Sequence, residues 1–92
     1  KPEIPQEYYL SQNYPNPFNS STRIKYGLPE NSHVSIMIYD ISGRIVQTLV
    51  DMEVKAGHHT VEWNAKQVSS GLYLLELRAS NYKAISKVVL AK

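Results

Sequence analysis

Alternation, not helical periodicity, organises this chain. From Thr22 to Leu28 every second side chain is Thr, Ile, Tyr or Leu, with Arg23 and Lys25 between them. Successive residues of a strand point to opposite faces, so this run reads as a half-buried strand with Thr22, Ile24, Tyr26 and Leu28 inward. His33–Asp40 repeats the pattern, with Val34, Ile36 and Ile38 inward and His33, Ser35, Met37 and Tyr39 outward. Arg44–Val50 is β-branched but alternates irregularly, as a bulged strand would. His58–Ala65 sets Val61 and Trp63 on one face. Leu72–Ala79 and Tyr82–Ala91 are separated only by Ser80-Asn81, which reads as a hairpin turn. Between the runs lie turn clusters at Pro29–Ser32 and Asp40–Gly43, and polar loops at Asp51–Gly57 and Lys66–Gly71. No stretch keeps a 3.6-residue period over the roughly ten residues a helix needs. Six strands are expected from Ser21 to Leu90, and a seventh over Tyr8–Asn13. The pattern predicts an all-β, seven-stranded antiparallel sandwich. Its expected core is Ile24, Tyr26, Val34, Ile36, Ile38, Val61, Trp63, Tyr73, Leu75 and Leu77.

One segment breaks the alternation. Tyr14-Pro15-Asn16-Pro17-Phe18 carries two prolines two positions apart, directly ahead of the first strong strand. Proline lacks an N–H and holds φ near −65°, so this segment is neither a helix nor a central strand. A sandwich leaves open edges, which invite pairing with other chains. A proline-bearing plug that lies across an edge and does not extend the ladder would meet that need, with Tyr14 and Phe18 as apolar anchors.

The totals bound the rest. Ninety-two residues make one domain with one modest core. Net charge is only +2 and the basic residues are scattered, which argues against nucleic acid as a partner. There is no cysteine, hence no disulfide framework and no thiolate metal site. No apolar run approaches the ~20 residues of a transmembrane helix. Residues 1–7 are polar and proline-bearing and read as a linker from a longer parent protein; residues 8–92 read as the domain.

A search for chemistry finds little. His58 and His59 are neighbours, so on a strand they point to opposite faces and cannot chelate one ion together. Asp40-Ile41-Ser42-Gly43 lacks the ligand density of a calcium loop and reads as an Asx-turn. Ser69-Ser70-Gly71 is not a nucleophile elbow. Glu62 and Glu76 are isolated carboxylates with no evident partner. No catalytic residue, metal site or cofactor is expected. Trp63, Tyr26 and Tyr73 read as core, whereas Tyr8, Tyr9, Tyr39 and Tyr82 are free to be exposed.

The stretches Leu10–Val50, Ala56–Leu77 and Lys87–Lys92, with the boxes "NYPNPFN" and "SGLY", resemble the C-terminal sorting domain of the type IX secretion system in its type A form. The likeness runs from about Tyr9 to Lys92. Tyr14, Pro15, Asn16, Pro17, Phe18 and Asn19 match the family's first box, and Gly43 and Arg44 its turn after the third strand. Gly71, Leu72 and Tyr73 match its Gly-apolar-Tyr element, and Lys87, Val88, Leu90 and Lys92 its basic-apolar end. Ser20 departs from the pattern, where the family often has a third proline. The resemblance implies an immunoglobulin-like sandwich of seven strands without catalytic residues, attached to a large secreted or cell-surface protein of a Gram-negative bacterium. It implies passage through periplasm and outer membrane. The implied partners are an outer-membrane translocon, a sortase-like surface protease and an upstream catalytic or adhesive domain of the same parent chain.

The last strand is expected to carry the signal: Val88 and Leu90 pin it to the core, and Lys87 and Lys92 are presented beside a backbone edge that no tail shields, open to strand addition. The alternative reading is an accessory polysaccharide-binding or spacer module of an extracellular enzyme. It would need an exposed aromatic row.

Overall fold

The alternating runs do become strands. A computed structural model describes residues 3–92, and among these seven strands form two antiparallel sheets. In chain order they are β1 (Tyr9–Leu10), β2 (Ser21–Leu28), β3 (Ser32–Tyr39), β4 (Ile45–Val54), β5 (Gly57–Asn64), β6 (Gly71–Ala79) and β7 (Tyr82–Leu90). One sheet has the order β1-β2-β5 and the other β4-β3-β6-β7. Hairpins join β3 to β4 and β6 to β7, and the other connections from β2 onward cross between the sheets, which gives an immunoglobulin-like sandwich. No helix long and apolar enough to cross a membrane is present among the described residues.

The core follows the inward positions. Ile24, Tyr26, Leu28, Val34, Ile36, Ile38, Trp63, Tyr73, Leu75, Leu77, Val88 and Leu90 are buried. Val61, expected among them, is only half-buried: it points inward, but β5 is an edge strand, so the core covers it from one side. The bulge expected in β4 is present twice. The register with β3 shifts between Ile36 and Met37 and again between Ile38 and Tyr39, which leaves Leu49 and Val46 as the extra residues of β4.

Two boundaries differ from the sequence reading. Asp51–Val54, expected in a loop, continues β4, because Ser32–Ser35 supply a partner for each residue. The first strand shrinks from Tyr8–Asn13 to Tyr9–Leu10. Beyond Leu10 the chain keeps contact with β2 through Ser11 N–H to Lys25 and a bridge from Tyr14 to Arg23. Within the segment expected to be a linker, Lys1 and Pro2 lie outside the described residues, while Pro5 lies against Gly27.

The tyrosines left free by the sequence are engaged. Tyr8 stacks on Tyr82 with ring centroids 5.4 Å apart. Tyr9 lies over Gly27, where a Cβ would collide with its ring, and its hydroxyl meets His58 Nδ1 at 2.7 Å. Tyr39 donates to Glu76 at 3.2 Å. Glu76, read as isolated, is also held by Arg78 at 3.1 Å and Lys83 at 3.4 Å. Sequence spacing alone did not reveal this pairing because Lys83 arrives from the neighbouring strand.

Candidate functional site: a recognition surface

Antiparallel pairing decides where the four boxes lie. β3 ends at Tyr39 and β4 begins at Ile45, so the turn holding Gly43 and Arg44 caps one end of the larger sheet. At that same end β6 begins with Gly71, and β7 finishes with Leu90. On the other sheet Ser21 pairs with Asn64, which places the preceding proline segment there too. All four boxes therefore share one end of the sandwich.

An aromatic group packs this end. Trp63 is fully buried, with Phe18 at 5.3 Å and Tyr73 edge-on at 5.6 Å between ring centroids. Its indole N–H donates to Gln47 at 3.1 Å. The Tyr73 hydroxyl donates to the Ser69 carbonyl at 2.6 Å, four residues back, and so ties the β5–β6 loop to the sheet. The two boxes are thus joined through a tryptophan that belongs to neither.

The proline segment lies along β7. Phe18 N–H donates to the Val89 carbonyl at 3.0 Å, and Ala91 N–H donates to the Phe18 carbonyl at 2.8 Å, forming a one-residue parallel bridge. Val89 N–H donates to Asn16 Oδ1 at 3.0 Å, and Gln12 Nε2 donates to the Lys87 carbonyl at 3.0 Å. Four outward groups between Lys87 and Ala91 are thereby satisfied. The prolines keep the segment from continuing as a strand. The plug expected from the sequence covers an edge of the sandwich, and that edge belongs to the last strand.

This arrangement corrects three expectations. The outer edge of β7 near its C-terminal end is occupied by residues 12–18, so an added strand has no free backbone there. Tyr14 does not anchor the plug; it is 80% exposed. Its bridge partner Arg23 points outward on β2, and paired residues share a face, so Tyr14 points outward as well. Phe18 alone is the apolar anchor. Finally, Lys87 and Lys92 do not form a pair on one surface. Lys87 lies beside Leu74 on the outer face of the larger sheet, whereas Lys92 Nζ donates to the Lys66 carbonyl at 2.8 Å on the β5–β6 loop.

The remaining box residues sit as follows. Val88 and Leu90 are buried in the core; Pro15, Pro17, Asn19, Gly71 and Arg44 are exposed. Gly43 has φ of 91°, a left-handed conformation that glycine adopts at low cost. It sits in the expected Asx-turn: Asp40 Oδ1 accepts from the Ser42 hydroxyl at 2.7 Å, Ser42 N–H at 2.9 Å and Arg44 N–H at 3.0 Å. The Ser42 hydroxyl first, then the Arg44 amide, holds the Asp40 carboxyl below its ordinary pKa. Asn13 was missed. It is buried, and its Nδ2 donates to the Pro15 carbonyl at 3.1 Å and to Thr22 Oγ1 at 3.0 Å. Its signal in the sequence is an asparagine two positions ahead of the first proline, where a side chain can cap the turn.

Chemically this end can present shape, backbone and charge. Among the described residues no group of three His, Cys, Asp or Glu side chains could hold a metal ion. Tyr14 is the one largely exposed aromatic side chain there, which gives no aromatic row for a polysaccharide.

A comparison with curated proteins found no match. The family model described as a secretion system C-terminal sorting domain matches residues 12–91, which span the first three boxes and all of the fourth but Lys92. That family implies a parent chain, the type IX secretion machinery as partner, and export to the cell surface or beyond. With nearly its whole length matched and its boxes gathered on one end of an immunoglobulin-like sandwich, this chain belongs to the type IX secretion C-terminal sorting domains.

Proposed function

We propose that this domain acts without catalysis, as a folded address label. The outer-membrane translocon reads its boxed end after the parent chain reaches the periplasm. A sortase-like surface protease then cleaves the domain off or uses it to attach the parent to the cell surface. The observation that carries the reading is the convergence of Asn16, Phe18, Gly43, Tyr73 and the 87–92 segment on one end, locked by the contacts between the proline segment and β7. A signal read on a folded domain needs a rigid surface, and this end has one.

The test is export of a reporter fused ahead of Lys1. Lys87→Ala with Lys92→Ala removes two exposed charges and leaves the core untouched. It is expected to lower surface delivery while the melting temperature stays within a few degrees of the parent. Normal export of the folded double variant moves recognition to Tyr14–Asn19 or Asp40–Arg44. Normal export after deleting Val88–Lys92 overturns the reading itself.

A further inference from the structure

The outer face of the larger sheet has a pattern of which the sorting role uses only Lys87. Pairing registers arrange its side chains in rows across β4, β3, β6 and β7. One row, at the boxed end, reads Ile45, Tyr39, Leu74, Lys87; another, two residues along β3 and β6 beyond the Met37–Glu76 pair, reads Asp51, Ser35, Arg78, Lys83. The contacts of Glu76 with Tyr39, Arg78 and Lys83 confirm that these groups share one face. Ile45 and Ile85 are 58% and 57% exposed, and Leu72 and Val89 are also open. Ile45, Tyr39, Leu74, Leu72 and Val89 make an apolar patch at the boxed end, with Ile85 apart beyond Lys87, and exposed apolar patches mark interfaces.

The charges beside the patch are sorted by side. On β4, Asp51 and Glu53 flank His33 of β3 at 2.7 and 3.3 Å. On the opposite side, Arg78 and Lys83 more than balance Glu76, and Lys87 has no carboxylate within 4.0 Å among the described residues.

We propose that this face packs against the same face of a second copy of the chain, about a two-fold axis parallel to the strands. A half-turn about that axis turns the face over and exchanges its sides, so β4 of one copy lies over β7 of the other. Asp51 then faces Lys83 at both edges, Tyr39 covers Leu74, and Ile45 lies along the aliphatic stem of Lys87, whose ammonium reaches the rim. A half-turn about the perpendicular axis would instead set Lys87 over Lys83 and Asp51 over Ile45, opposing like charges and burying a carboxylate on an apolar side chain. The residues choose the first arrangement, an aligned packing of two sheets about 10 Å apart.

Magnitude sets the strength. Four strands about 4.8 Å apart and about eight residues long offer on the order of 500 Å² per copy. This is below the roughly 800 Å² per partner of a standard stable complex, so the dimer is weak and concentration-dependent.

Sedimentation velocity of the whole chain from about 10 μM to about 1 mM tests the proposal, spanning the range expected of a weak interface. The mass is expected to rise from 10.5 kDa toward twice that value. The registers set Ile85 over Thr48 of the other copy, so Ile85→Lys, at an exposed position, should weaken association at least ~10-fold by desolvating a charge that the facing copy does not pair. Asp51→Lys and Lys83→Glu should each weaken it, and the two together should restore it. Within one chain these residues are three strand spacings apart, about 14 Å, beyond the screening length of about 8 Å, so the rescue reports contact between copies. Melting curves of each variant verify folding. Should Lys83→Glu unfold beside Glu76, Ile85→Lys decides alone. A monomer at the highest concentration, a dimer indifferent to Ile85→Lys, or folded single variants that their combination does not rescue overturns the proposal.

Discussion

The side-chain oxygen of Asn16 accepts the backbone N–H of Val89 at 3.0 Å, across 73 positions of sequence. Asparagine here replaces the backbone partner that a neighbouring strand would supply. Asn16→Ala is expected to destabilise the domain by about 0.5–1.5 kcal/mol, the net contribution of one hydrogen bond at a partly wetted site. It should also speed amide exchange at Val89 far more than at Leu75. Urea titration and hydrogen exchange followed by NMR check both; an unchanged Val89 rate means that the bond does not form in solution.

Phe18 and Trp63 carry the apolar part of the same lock. Both are buried, so truncating either leaves a cavity. Phe18→Ala and Trp63→Ala should each cost about 3–5 kcal/mol, a large share of the 5–15 kcal/mol typical of a small domain. Tyr14→Ala should cost less than about 0.5 kcal/mol, because its ring is exposed. Denaturant midpoints distinguish the three, and a Tyr14 variant as damaging as the Phe18 variant contradicts the outward placement.

Gly27 is needed for contact, since a Cβ there collides with the Tyr9 ring. Gly27→Ala should destabilise by about 1–3 kcal/mol through overpacking. In a Tyr9→Ala background most of that cost should disappear, because the ring is gone and only the looser contact with Pro5 is left. Additive effects in that double-mutant cycle would refute the contact.

His33 of β3 sits between two carboxylates of β4. Its hydrogen bond to Asp51, followed by the charge of Asp51 and the neighbouring Glu53, raises its pKa above the ordinary histidine value despite an opposing desolvation. Protonated His33 therefore favours the folded state. That contribution is complete below the unfolded-state pKa and fades as pH rises through the higher folded-state pKa. NMR titration of the ring should show the raised midpoint, and Asp51→Asn should lower it. A midpoint that ignores Asp51→Asn rules out the pairing.

Much of the fold is legible in the alternation, because a period of two assigns each side chain to a face before any partner is known. The inward series Ile24-Tyr26-Leu28 and Val34-Ile36-Ile38 shows this directly. What was not legible depends on partners distant in sequence. Asp51–Val54 looks like loop until Ser32–Ser35 pair with it. Glu76 looks isolated until Lys83 folds back beside it. Tyr14 and Phe18 look alike as aromatic neighbours of proline, yet the bridge to an outward Arg23 turns one to solvent, and contact with Trp63 draws the other inward. The boxes could be matched in the sequence, but their meeting at one end is a property of strand direction.

The clamp between residues 12–18 and β7 also has a temporal meaning. Its two halves stand near opposite ends of the described chain, so neither can form the surface alone, and loops joining distant segments close late and slowly. A chain still lacking its last strand, or folded with that strand undocked, has Asn16 without the Val89 amide and Phe18 without its backbone bridge. If the proposed receptor binds this end, it samples only molecules whose folding has finished, and the clamp then serves as a certificate of completion issued by the domain itself.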